Sequence, residues 1–155
     1  MVRIAKPEMA ARQLSLLLRR PVTVTAVNTA PAQSRLCISG AYHGSDGALL
    51  GHCLADLSFA AHAGAALSLV PADVAEDNIR RRTLEDTLRE NFAEVLNVLS
   101  CLFTVDDARV TLRETVFPPQ PLPGLPTSAP AAAVALLQVD ISGYGTGLLS
   151  VRTVP

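Results

Sequence analysis

Asp86, Glu90 and Glu94 follow one another at four-residue intervals, and Asn97 comes three residues after the last of them. The stretch that carries them, Thr83 to Phe103, has Leu84, Leu88, Phe92, Val95, Leu99 and Leu102 at helical spacing, which predicts a helix with one apolar stripe. At about 100° per residue, Glu90, Asn97 and Glu94 fall within an arc of about 60° opposite that stripe, with Asp86 at its border. Like charges at i, i+4 cost a helix a few tenths of a kcal/mol per pair. Arg89 lies to one side of the row, so no basic residue interrupts it. An acidic ridge of this kind suits a cationic partner. Asn97 adds a carboxamide, which accepts and donates at once and can hold a water for attack. A charged face that is only solvated is the alternative reading of the same pattern.

Other chemistry-bearing residues are scattered. His43, His52 and Cys53 lie on a hairpin and His62 on the helix after it; a metal site needs three or four ligands in defined spacing, so no metal site is expected. Cys101 falls on the acidic side, where negative neighbours would raise its pKa and discourage nucleophilic use. Gly143, Gly145 and Gly147 join two strands and open no helix, which removes the dinucleotide-loop reading and predicts a wide hairpin turn instead. Arg80-Arg81-Arg82 is a basic patch just before the acidic helix, read as a solvated turn or as a contact for an acidic rim on a partner.

The elements that must position these residues can be followed along the chain. Pro7 to Arg20 reads as a helix, with Pro7 in its first turn and Pro21 stopping it. Val22 to Val27 alternates as a strand. Arg35 to His43 and Leu49 to Leu54 flank Ser45-Asp46-Gly47 as a hairpin. Ala55 to Val70 is rich in Ala, Gly and Leu and reads as a buried helix that another element approaches closely. Thr83 with Asp86 resembles a capping box for the acidic helix. Ala108 to Phe117, Ala132 to Ile141 and Leu148 to Val154 read as strands, with no tandem repeat of fixed period. Residues 118–130 hold six of the eleven prolines and form an irregular loop. Adjacent hairpins with helices grouped together indicate an α+β fold: an antiparallel sheet with two long helices packed on one face.

Composition bounds the function. The chain has 155 residues, 49% hydrophobic and 17% charged, with a formal net charge of -1. That length gives one domain, 1–155, with a core of its own. Near-neutral charge argues against nucleic acid as a partner. No apolar run reaches the ~18–20 residues of a membrane span, so no membrane insertion is expected, and no secretory leader is visible. Three cysteines without metal-like spacing read as free thiols in a reducing cytoplasm.

The run Glu90-Asn91-Phe92-Ala93-Glu94-Val95-Leu96-Asn97 resembles the helix signature of the CheC/CheX/FliY chemotaxis phosphatases. That signature is an acidic or serine residue, three residues, Glu, two residues and Asn, with a proline further on. The positions here are Glu90, Glu94 and Asn97. Glu90 stands where Asp or Ser is usual, and Gln120 stands near the expected proline, with Pro118, Pro119 and Pro121 beside it. The single copy of the motif is most similar to CheX, and the element order agrees over most of the chain.

The resemblance implies hydrolysis, in trans, of aspartyl phosphate on a CheY-like response-regulator receiver domain of a bacterial two-component pathway. Asn97 would orient the attacking water and Glu94 would pair with the receiver's active-site lysine, while Glu90 and Asp86 would support the contact. The chain itself would bind no cofactor; Mg2+ would belong to the phosphorylated receiver. The competing class is a non-enzymatic module of the same fold, like the flagellar-switch middle domain, that binds receivers or itself. Self-association would use an edge strand such as Leu148–Val154 to form a homodimer. Exposure of Glu94 and Asn97 separates the two classes: a buried or internally capped Asn97 would favour the module.

Overall fold

A computed structural model describes residues 2–28, 35–106, 108–120 and 131–155. Its first half runs β1 (Arg3–Ile4), α1 (Pro7–Leu18), β2 (Val22–Ala26), β3 (Leu36–His43), β4 (Leu49–Asp56) and α2 (Leu57–Leu67). Then come α3 (Ala72–Arg80), α4 (Asp86–Val98), a 3-10 turn (Leu99–Leu102), β5 (Phe103–Thr104), β6 (Thr111–Val116), β7 (Ala133–Ile141) and β8 (Gly145–Thr153). The α+β expectation holds. Residues 118–120 of the proline-rich loop are described, and 121–130 lie outside the described residues.

Local chemistry explains the hairpins. β3 and β4 pair across a turn in which Gly47 takes φ 83, and β7 and β8 pair across Ser142-Gly143-Tyr144 with Gly143 also at φ 83. A left-handed backbone is cheap only without a Cβ. The wide turn expected over 142–147 is therefore corrected to a tight one, with Gly145 and Gly147 inside β8. Gly147 serves a close approach: a side chain there would run into the Phe59 backbone of α2.

The main sheet has the order β2-β7-β8-β4-β3-β6, with every neighbouring pair antiparallel. β8 lies between β7 and β4, so its backbone groups are already paired on both sides. This overturns Leu148–Val154 as the dimer edge, because the open edges belong to β2 and β6. The order also reads the same when α1–β2–β3–β4 is exchanged with α4–β6–β7–β8. Each half contributes a helix, an edge strand and a hairpin, and each edge strand adds to the other half's hairpin. The repeat is one of topology, without a fixed sequence period.

One face of the sheet carries the core. Val24, Leu137, Val139, Leu149, Val151, Cys53 and Ile38 meet Leu14 and Leu18 of α1, Phe59 and Ala63 of α2, and the apolar stripe of α4. The buried Ala/Gly-rich helix is present but starts two residues later than expected. Ala55 and Asp56 finish β4, and the Asp56 carboxylate accepts from the Phe59 N–H at 2.8 Å as the cap of α2. α3 was not foreseen. Pro71 precedes it, and Ala75 and Asn78 are its buried positions.

The acidic helix differs in its start. α4 begins at Asp86, and the Thr83–Asp86 capping box does not form. The buried Asn78 of α3 takes over: its Oδ1 accepts from the Glu85 N–H at 2.8 Å, and its backbone carbonyl accepts from Thr83 N–H at 3.1 Å. Capping from a neighbouring helix thus supplies acceptors at a helix start that has no side-chain cap of its own.

Candidate functional site: the acidic face of α4

α4 is held on three sides, which leaves its fourth to solvent. Leu84, Leu88, Phe92, Val95, Leu96, Leu99 and Leu102 are all buried. Each such side chain contributes roughly 1.5–3 kcal/mol, far more than the few tenths lost to each like-charge pair on the opposite face. Packing therefore dictates which way the acidic row points. Phe92 meets Phe59 edge to face, with ring centroids 5.1 Å apart.

Two polar contacts set the helix laterally. Asn91 Nδ2 donates to the Gly64 carbonyl of α2 at 2.8 Å and to Ser68 Oγ at 2.7 Å. On the other flank, Arg89 donates to the Pro118 carbonyl at 3.2 Å and its guanidinium lies over the Phe117 ring, 5.7 Å from the centroid. At the N-terminal end Arg81 bridges Asp77 of α3 (2.8 Å) and Glu85 (3.1 Å). The arginine run is thus partly spent inside the α3–α4 connection. Sequence reading placed Arg89 to one side of the row but gave neither it nor Asn91 a role in holding the helix, although both flank the row at about 100° from Glu90.

Asp86, Glu90, Glu94 and Asn97 are all exposed. Glu94 and Asn97 share one helical face a single turn apart, a spacing that brings Cβ atoms to roughly 5–6 Å. Among the described residues no side-chain hydrogen bond or ion pair engages any of the four. The face presents three carboxylates and one carboxamide to solvent.

The remaining candidates have structural partners. His62 is buried, with Nδ1 at 3.2 Å from the Thr146 carbonyl and Nε2 at 2.9 Å from Glu76, so it ties α2 to α3 and to β8. No group of three or more His, Cys, Asp or Glu among the described residues is arranged to hold a metal ion. Cys101 is half-buried in the 3-10 turn; burial, rather than the acidic row, pushes its thiol up. A cavity of about 540 Å3 opens beside the α3–α4 connection, between Arg35, Asp56, Ser58 and Arg82. Asp56 is already committed there to the backbone N–H groups of Phe59 and Leu148. No helix among the described residues is long and apolar enough to cross a membrane.

Neither a protein-family model nor a curated protein matches the sequence. Solved structures do match over nearly the whole chain. Thermotoga maritima FliY is 13% identical, aligned over 93% of this chain and 81% of its own, with a TM-score of 0.56. A FliM–SpeE complex from H. pylori gives 11% identity, 95% and 80% coverage and a TM-score of 0.62. The chain has the CheC/CheX/FliY fold. The FliM middle domain of Vibrio alginolyticus is also similar, at 13% identity, 94% and 88% coverage and a TM-score of 0.57. Within the CheC/CheX/FliY fold adopted here, α4 carries the Glu90, Glu94 and Asn97 run on its solvent face.

Proposed function

We propose that this chain is a CheX-like phosphatase that hydrolyses aspartyl phosphate on a response-regulator receiver domain in the cytoplasm. The observation that carries the reading is the pairing of exposed Glu94 and Asn97 on a helix fixed by its buried stripe. α4 would dock against the receiver's phosphorylated site. Asn97, through its carboxamide, would hold a water in line with the phosphorus; the water oxygen bonds to phosphorus as the bond to the aspartyl oxygen breaks, releasing inorganic phosphate and the receiver carboxylate. Glu94 would pair with the receiver's lysine, and Glu90 and Asp86 would extend the contact. Charge on the phosphoryl oxygens is left to the receiver's Mg2+. Phosphoryl transfer rests on positioning and charge stabilisation, so a helix face without a nucleophile of its own suffices.

A second reading has support in the likeness to FliM, whose TM-scores of 0.51 to 0.62 span the 0.56 of FliY. FliM has been crystallised with SpeE and with FliG. On that reading α4 is a docking face without catalysis.

The deciding experiment follows phosphate loss from receiver domains of the same organism charged with acetyl phosphate. Wild-type protein should accelerate the loss, and Asn97→Ala should lower the acceleration by about a hundredfold while the protein stays folded. Equal activity of the variant would remove Asn97 from its role. No acceleration of any receiver would leave the docking reading.

A further inference from the structure

α4 changes its winding directly after the exposed pair: it is α-helical to Val98 and 3-10 from Leu99 to Leu102. The position of that change matters. Over three α-helical residues Glu94 and Asn97 end about 60° apart around the axis and about 4.5 Å along it. In 3-10 winding the same three residues would close a full turn and rise about 6 Å. A change that crept back past Asn97 would re-aim the carboxamide relative to the carboxylate.

Two bonds from outside the helix bracket this segment. The Leu102 carbonyl accepts from the Ala5 N–H at 2.8 Å. The Leu96 carbonyl, adjacent to Asn97, accepts from the phenol O–H of Tyr42 on β3. Tyr42 is fully buried, and its ring rests on Phe103, which follows the 3-10 turn, at 4.7 Å between centroids. Burial pushes the phenol well above its ordinary pKa of 10, so it stays a donor. The donor stands on the strand and the acceptor on the helix, so the bond fixes the last α-turn of α4 against the sheet.

We infer that Tyr42 is a positioning residue, which holds the α-to-3-10 boundary beyond Asn97 and so sets the aim of the Glu94–Asn97 pair. The inference rests on the phosphatase reading for its consequence in catalysis, and on the fold alone for its consequence in helix geometry.

Tyr42→Phe keeps the ring and removes the hydroxyl. The expected result is a fall in kcat for receiver dephosphorylation of about tenfold or more, with KM near the wild-type value and unchanged circular dichroism. Amide hydrogen exchange should rise at Asn97–Leu102 and stay constant at Leu88–Val95, whereas a merely structural loss would raise exchange throughout and leave kcat of the folded protein alone. Wild-type kcat in the variant overturns the proposal. If wild-type protein hydrolyses no receiver phosphate, the phosphatase reading fails by itself, and exchange then decides the geometry: a local rise upholds Tyr42 as the residue that sets this face, and unchanged exchange overturns it. Should the variant not fold, the wild-type protein gives its own readout in a slowly exchanging Tyr42 hydroxyl proton close to the Asn97 amide; its absence overturns the inference.

Discussion

The side-chain amide of Asn91 donates to the backbone carbonyl of Gly64 at 2.8 Å, across a close approach of α4 to α2. Directly beside that bond, a Cβ on Gly64 would lie 2.6 Å from the Leu88 carbonyl oxygen and 3.2 Å from its Cα. Both are backbone atoms that no side-chain rotation can move. The seat of the acidic helix therefore depends on one missing methyl group and one carboxamide.

Gly64→Ala should destabilise the protein despite its better helix propensity. Propensity gains about 1 kcal/mol, but overpacking a fixed contact costs about 1–3 kcal/mol. The loss should be larger for Gly64→Val, and urea unfolding of the three proteins measures it. Stability equal to wild type would mean that α2 and α4 separate without penalty.

Glu94 is predicted to act through charge. Glu94→Lys should slow association with a phosphorylated receiver and invert its salt dependence, whereas Glu94→Gln should only weaken both effects. Binding kinetics at low and high ionic strength provide the test. Identical salt slopes for wild type and Glu94→Lys would exclude a cationic group opposite this residue.

Asp56 gives the fold a pH dependence of defined sign. Burial raises its carboxyl above the ordinary 3.8, outweighing the lowering by hydrogen bonds from Phe59 and Leu148 and by Arg35. Its protonated form is thus favoured by folding, and the associated stability is present below the unfolded-state value and lost as pH rises through the folded-state value. Asp56→Asn keeps an acceptor for both N–H groups and cannot ionise. Relative to wild type, the variant should gain stability as pH is raised from about 3 to 7 in urea titrations, starting below the unfolded-chain value of about 3.9. A difference that stays flat or falls would show that burial is not the dominant influence on this carboxyl.

The three thiols should react in a graded way. Cys53 is wholly buried and pushed up to about 12, while Cys37 and Cys101 are half-buried and raised less far. Alkylation of native protein at mild alkaline pH should label Cys37 and Cys101 slowly and spare Cys53 until urea is added, as mass spectrometry would report. Rapid labelling of Cys53 in the native state would mean that the β3–β4 core opens readily.

The acidic face was legible because a helix is periodic over short range. Leucines at helical spacing fix which side of Thr83–Phe103 is buried, and that alone turns Asp86, Glu90, Glu94 and Asn97 outward. The start of that helix was not legible. Thr83 has the residue type of a cap, but the partner that meets the Glu85 N–H is Asn78 on another helix. α3 also escaped notice: it is short, and the polar Asn78 is one of its two buried positions.

By itself the sequence determined what is local: where Gly47 permits a turn, which strands form hairpins, and which residues α4 turns to solvent. The tertiary structure alone decided what is distant. Alternation along Leu148–Val154 marks a strand with two faces, but nothing in it names the neighbours on its edges, since backbone groups pair alike whatever side chains they carry. Only the closure of the sheet put β8 between β7 and β4, left β2 and β6 open, and related the two halves by exchange. The same holds for Tyr42 and Leu96, distant in sequence and joined by one hydrogen bond, because a strand and a helix meet there only after both have packed on the same core.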